Sequence, residues 1–280
     1  MTVGTEWIAW FERLREAQTL PRVRALHLPP AELAGTKQGE FCALELEDGA
    51  LGLSYVLLDD TLARLAAERE RFALEGADAL LVARRYVEGR GVERTLGFAA
   101  INALTRSLFD RAGYEPPVSM DSIGQIDPQP QDHVGMIGLF TPLLDRVVRA
   151  GAHLTVVELK PELAGERDGY RVTLDAAELA GCEKILTTST ILLNDTLDRM
   201  LASCGQARIF AMIGPGAGCL PDPLFARGVT RMGGSWITDT RGFLETLASG
   251  GKWSAHARKC AIDRADYPGA ATLLARAKGS

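Results

Sequence analysis

The chain has 280 residues, 46% of them apolar and 24% charged, with a net charge of −5 and 29 glycines. This balance excludes disordered, collagen-like and low-complexity chains, and a length near twice ~150 residues predicts two domains. The acidic charge argues against a nucleic acid or an anionic membrane as partner, because holding a polyanion needs clustered basic residues.

Residues 5–18 place Trp7, Ile8, Phe11 and Leu14 at helical spacing, so the chain is expected to open on an amphipathic helix. Residues 41–47 and 50–57 are strand-like runs. Asp48-Gly49 between them predicts a tight hairpin in which both turn residues favour positive φ. Asp59 or Asp60 is placed to cap a helix through Leu62, Leu65 and Phe72. Residues 93–112 form a longer helical pattern that stops at Gly113. Strands followed by helices predict an α+β first domain, assigned to residues 1–118. Residues 115–132 then hold four prolines and few large apolar residues, so the boundary falls there and the second domain takes residues 119–280.

Beyond the boundary the chain alternates. Strands are predicted at 134–138, 153–158, 184–187, 207–213 and 229–232. Between them come helices at 142–150, at 175–180 capped by Asp175, from Asn194 or Asp195 to Cys204, briefly from Pro223, and at 239–248. Apolar strands alternating with helices predict a doubly wound parallel sheet, and hence an α/β chain as a whole.

The cysteines, Cys42, Cys182, Cys204, Cys219 and Cys260, are odd in number and widely spaced, with no CxxC pair. They support neither a zinc ribbon nor a disulfide framework. The N-terminus lacks a basic segment followed by an apolar core, and no run of about 18 apolar residues occurs. A cytoplasmic protein with no membrane partner is expected. The histidines, His27, His133, His153 and His256, form no HxxxH or HExxH pair, and no Walker A or GxSxG motif is present.

In an open α/β sheet, ligands bind at the carboxyl ends of the strands. Four strand-end loops have the composition for this. Gly138-Leu-Phe-Thr-Pro142 enters a helix, and Glu158 follows about twenty residues on, where a dinucleotide-binding sheet places its ribose acid. The glycine pattern is GxxG, however, and Phe140 and Thr141 stand where a third glycine is needed, so a plain strand-to-helix turn is the competing reading. Thr187-Thr-Ser-Thr190 presents four hydroxyls in a row, with Asn194 at the following helix start. They can hold a carboxylate or phosphate, or simply satisfy local backbone groups and cap the helix. Gly214-Pro-Gly-Ala-Gly218 is unusually free, which suits a close ligand, a close chain approach or a plain connector. Asp222 beyond it is an acid or a surface cap, and Cys219 a soft ligand or a small buried apolar residue.

Taken together, VGMIGLFTPLL, LTVVELKPE, ILTTSTILLNDTLDRML, AMIGPGAGCLPDPLFARGV and WITD occur in this order over about residues 125–262 and resemble the DUF364 family, a heavy-metal chelation domain. Residues 5–112, with GLSYVLL and GFAAINAL, resemble the companion DUF4213 domain. The resemblance implies an enolase-N-terminal-like first half and a Rossmann-like second half. It also implies a small-molecule ligand in the cleft between them, connected with making or handling metal chelators. The matching candidates are Gly138, Phe140, Glu158, Thr188, Ser189, Thr190, Asn194, Gly214, Pro215 and Gly216. A metal ion or a metal chelate is the implied cofactor, with a nucleotide as the weaker alternative. Glu158 with Asp239 or Cys219 would be a sparse, mixed hard and soft donor set. An enzyme, a non-catalytic carrier of metal or chelate, and a nucleotide-dependent oxidoreductase are the competing functions. Apolar surface on the first-domain helices is compatible with a homo-oligomer.

Overall fold

A computed structural model describes residues 1–121 and 124–278. Residues 122 and 123 of the proline-rich segment and the last two residues of the predicted second domain lie outside it. Helix α1 (Val3–Ala17) starts at Thr2, whose hydroxyl accepts the Thr5 N–H at 3.3 Å. It buries Trp7, Ile8, Phe11 and Leu14, the predicted face. Strands β1 (Val23–His27), β2 (Phe41–Leu46) and β3 (Leu51–Tyr55) form an antiparallel sheet in that order. The β2–β3 turn differs from the expected two-residue form. Only Gly49 has positive φ, at 86°, and its N–H donates to Leu46 O at 2.9 Å. This is a three-residue loop with a left-handed glycine, steadied by the Ala50 N–H donating to Asp48 Oδ1 at 3.2 Å.

Helix α2 (Thr61–Ala67) stops before Phe72, which sits in a following 3-10 turn that Ala73 ends at φ 44°. Asp60 occupies its N-cap position but makes no capping bond. Helix α3 (Ala79–Glu88), capped by Asp78, packs on the long α4 (Val92–Arg111). The end of α4 follows expectation: Gly113 at φ 60° lets the N–H groups of Gly113 and Tyr114 donate back to Asp110 O and Phe109 O.

The second sheet contains β4 (His133–Ile137), β5 (His153–Val157), β6 (Gly165–Arg167), β7 (Tyr170–Thr173), β8 (Lys184–Thr188), β9 (Ile209–Ile213), β10 (Arg231–Ile237) and β11 (Ala257–Asp263). The helices among and after them are α5 (Thr141–Arg149), α6 (Leu197–Ser203), α7 (Asp222–Phe225), α8 (Thr240–Ala248) and α9 (Ala270–Lys278). The strand order is β11-β10-β9-β8-β4-β5-β7-β6. Neighbours from β7 to β10 pair in parallel, whereas β6 and β11 add antiparallel edges, so the sheet is mostly rather than wholly parallel. Counted in chain order, the six parallel strands run 3-2-1-4-5-6. The winding direction switches between β4 and β8, which is where such sheets open a crevice.

The two sheets are held together by shared packing. The Trp7 indole N–H donates to Leu220 O at 2.8 Å and the Tyr86 hydroxyl to Leu192 O at 2.6 Å. Helix α9 returns to pack on α1 and α4. The proline-rich segment runs along the edge strand β11, with Pro117 O accepting the Ala261 N–H at 3.0 Å. Among the described residues no helix is long and apolar enough to cross a membrane.

Candidate functional site

The switch between β4 and β8 opens a cavity of about 330 Å³. Gly138 ends β4 at φ 84°, and a Cβ there would stand 3.0 Å from Thr188 Cγ2, so both backbone conformation and the neighbouring strand end require glycine. The next N–H, of Leu139, donates to Glu158 Oε1 at 2.7 Å, and Glu158 Oε2 accepts the Leu159 N–H at 3.0 Å. Glu158 therefore ties the end of β5 to the loop after β4. That use competes with the ribose contact expected of a dinucleotide-binding acid, and it occupies an N–H that a pyrophosphate would need.

After β8, Thr188 Oγ1 accepts the Thr190 N–H at 3.2 Å and lies 2.5 Å from Thr190 Oγ1. The Asn194 side chain does not cap α6. Its Oδ1 accepts both the Thr196 N–H at 3.3 Å and the Thr196 hydroxyl at 2.6 Å, and Thr196 takes the cap position. This turn uses only the carbonyl oxygen, and the two amide hydrogens take no part in it.

Six of the ten predicted residues line this cavity: Gly138, Phe140, Glu158, Thr188, Thr190 and Asn194. The other four lie elsewhere. Ser189 is buried, and a Cβ on Gly214, itself at φ 148°, would come within 2.2 Å of Ser189 Oγ. Gly216 O accepts Asn102 Nδ2 from α4 at 3.0 Å, and Pro215 lines a separate cavity. Gly214 thus answers a close approach of chain to chain, one of the alternatives the sequence left open, whereas a Cβ at Gly216 or Gly218 would make only ordinary contacts at 3.7 to 4.0 Å. Asp222 is also structural, because its carboxylate accepts the Ala270 N–H that starts α9 and the Tyr267 hydroxyl, at 2.8 and 2.9 Å.

The cavity also takes residues that the sequence did not single out. Lys160 and Thr196 belong to the strand-end loops, and Met200 to α6. Tyr55 and Leu58 come from the first sheet and the segment after it, with no local signal that they would face the second. Glu40 pairs with this edge through its carbonyl, which accepts the Val56 N–H at 2.9 Å. Burial pushes the Glu40 carboxyl above its usual 4.5, with Lys37 opposing. Burial, and then the charge of Glu40, push the Tyr55 phenol up. A carboxylate with a raised folded-state pKa costs stability once it ionises, and the cost grows as pH rises from about 4.5 through the raised value. Glu40→Gln is therefore expected to raise the melting temperature at pH 7 and to change it little near pH 4; equal shifts at both pH values would contradict this.

No group of three or more His, Cys, Asp or Glu side chains suited to a metal ion occurs among the described residues. His27, His133 and His256 each pair singly, with Glu45, Thr155 and Asp239. All five cysteines are free and buried. Burial raises each thiol, away from the thiolate that soft metals bind.

The family model DUF364, described as "Putative heavy-metal chelation", matches residues 121–265, just over half of the chain. The DUF4213 model, with the same description, matches residues 39–105. An uncharacterized protein of Methanocaldococcus jannaschii is 31% identical over 157 residues, which is 53% of this chain and 56% of that protein. The match thus spans little more than half the length of the curated relative. Two crystal structures of DUF364-family proteins of unknown function share the fold, one from Desulfitobacterium hafniense and one from Pyrococcus horikoshii. The first is 20% identical with a TM-score of 0.67, covering 92% of this chain and 98% of that one. The second is 21% identical with a TM-score of 0.67, covering 92% and 99%.

Proposed function

This chain belongs to the DUF364 family, and on that premise we propose that it binds one small polar metabolite, an organic metal chelator or a precursor of one. The ligand sits in the cleft between a Rossmann-like sheet and an enolase-N-terminal-like first unit. One observation carries the reading: six residues from three strand-end loops meet at the switch point, with Tyr55 of the first sheet on the same cavity. Lys160 supplies a cation there, Thr188 and Thr190 supply hydroxyls, and Asn194 supplies amide hydrogens. That set suits carboxylate and hydroxyl groups, which are also the groups that chelate metals. Among the described residues no protein donor set fits direct chelation, so a heavy metal would arrive as part of the chelate, as cargo or substrate. The nucleotide-dependent reading is disfavoured by the engaged Leu139 N–H and by Phe140 at the missing third glycine.

Calorimetric titration of the full chain with citrate, nickel citrate and NAD tests this. Citrate or its nickel complex is expected to bind. Lys160→Ala and Asn194→Ala should each weaken that binding by about tenfold, the effect of losing one charge-assisted or buried hydrogen bond. Lys160→Ala should change the melting temperature by no more than about 2 °C, whereas Asn194→Ala, which also loses the two bonds from Thr196, should lower it by a few degrees. Binding by NAD alone, by none of the three, or a loss of stability without a loss of binding would overturn the assignment. A non-catalytic carrier that held metal directly would instead retain stoichiometric metal after gentle purification, against an expected content below ~0.1 per chain.

A further inference from the structure

A second cavity, of about 50 Å³, lies between α4, β3 and β10, and it shares no lining residue with the switch-point cavity. Its walls are mostly apolar, with Leu53, Phe109, Met232 and Ile262 among them. One polar group faces this lining without a partner. Asn102 is 3% exposed, and its Nδ2 donates to Leu53 O at 2.6 Å and to Gly216 O at 3.0 Å. Those two carbonyls fix the amide orientation, since a flipped amide would set its oxygen against both. The Oδ1 is left buried with no hydrogen-bond partner. An acceptor buried in this way costs stability unless something donates to it.

One turn further along α4, the lining carries positive charge at Arg106. The Arg106 guanidinium lies 3.7 Å from the centroid of the Trp236 ring, and Arg258 lies 5.9 Å from it. Arg106 is already engaged by Asp110 and by Ile237 O, and Arg258 by Glu115 and Pro116 O. A cationic ligand is disfavoured by the Arg106 guanidinium, and an anionic one by the Asn102 oxygen; Arg258 Nη1, a buried donor with no hydrogen-bond partner, is not among the lining residues. Arg106, Phe109, Trp236 and Ile237 also line an outer hollow of about 410 Å³, so the guanidinium–indole stack is a common wall between inner cavity and outer hollow. At Gly218 the nearest atoms to an added Cβ would be those of the Asn102 side chain, at 3.7 to 3.9 Å, so a methyl there would rest in ordinary contact beside the amide.

We propose that this cavity is a second small-molecule site, taking a neutral ligand with a compact apolar body and one N–H or O–H donor, such as a primary amide or an alcohol. The donor bonds Asn102 Oδ1, the body packs on the apolar walls, and Arg106 moves off Trp236 to admit it.

The test is a nitrogen-15 NMR titration of the full chain with isobutyramide, following the Trp236 indole and Asn102 carboxamide signals. Saturable shifts of both are expected in the millimolar range, as befits a ligand of so few atoms. Methyl isobutyrate, similar in body but without a donor, should bind at least about tenfold more weakly, because it leaves Oδ1 unpaired. Gly218→Val, which fills the space beside Asn102, should abolish the shifts. No saturable shift, equal binding of amide and ester, or wild-type affinity in Gly218→Val would overturn the proposal. So would a crystal structure grown with the amide that shows only water on Oδ1. If Gly218→Val fails to fold, the comparison of amide with ester on the unmodified chain decides. Citrate binding at the switch point is scored separately, so either site can fail without the other.

Discussion

Asp132→Ala is expected to lower the unfolding free energy by about 3–5 kcal/mol, the cost of leaving a buried charge without its partner. Lys184, at the start of β8, is 4% exposed, and its ammonium lies 2.5 Å from Asp132 Oδ2 and 2.7 Å from Asp127 O. Asp132, 3% exposed, also accepts the Gln129 N–H at 2.7 Å, with Arg208 at 3.4 Å. Burial pushes the Asp132 carboxyl up, but the bonds from Lys184 and Gln129 outweigh it and hold the group below its usual 3.8. A depressed carboxylate contributes stability that is present above the unfolded-state value and lost as pH falls through the folded-state value. The variant should therefore differ most from wild type near neutral pH and least at strongly acidic pH. Asp132→Leu combined with Lys184→Met should recover most of the loss, because it removes the orphaned charge along with the pair. Urea denaturation at pH 7 and pH 3 checks all three expectations. A single-variant loss below about 1 kcal/mol would show that water reaches the lysine.

Gly52→Ala is expected to cost about 3 kcal/mol, the upper end of ordinary overpacking, because the clash is with backbone. A Cβ at Gly52 would stand 2.1 Å from Ala99 O and 2.2 Å from Ala103 N, so β3 and α4 would have to part. Neither wall can rotate away, as a side chain could. The same strand carries Leu53, whose carbonyl holds Asn102, and Tyr55, which lines the switch-point cavity. Citrate affinity should thus fall together with stability in this variant, unlike Lys160→Ala, where affinity alone should fall. Denaturation and calorimetry on the same sample check the pairing. A cost under about 1 kcal/mol, or unchanged affinity, would contradict it.

Much of the fold was legible because its signals are local. The face of α1, the β2–β3 hairpin, the end of α4 at Gly113, and the β4–α5–β5 alternation all follow from spacing, glycine and proline. Of the elements that were missed, α3 had its signals in the sequence, a capping Asp78 and apolar residues at helical spacing, and α9 was missed as well, whereas three of the strands lack such signals. Strand β1 is interrupted by a register shift between Val23 and Ala25, which breaks the alternation. Strands β6, all exposed, and β11, at the other edge, are not continuous apolar runs, since an edge strand need not be buried on both faces. The short α6 began later than its capping residues suggested, because Asn194 spends its oxygen on a turn instead.

The candidate site divides along the same line. Which loops leave strand ends rich in glycine and hydroxyl groups is legible along the chain, since apolar strands and the residues that stop them are written in consecutive positions. The sequence could not say which of those loops face one another. That Gly214 serves Ser189, that Pro215 lines a different cavity from Asn194, and that Tyr55 crosses from the first sheet to the second were decided by strand order and by the packing of β3 on α4. Those contacts join residues tens of positions apart or more, from 25 between Ser189 and Gly214 to 114 between Asn102 and Gly216, and close packing of the shared core, rather than any local preference, sets which of them touch.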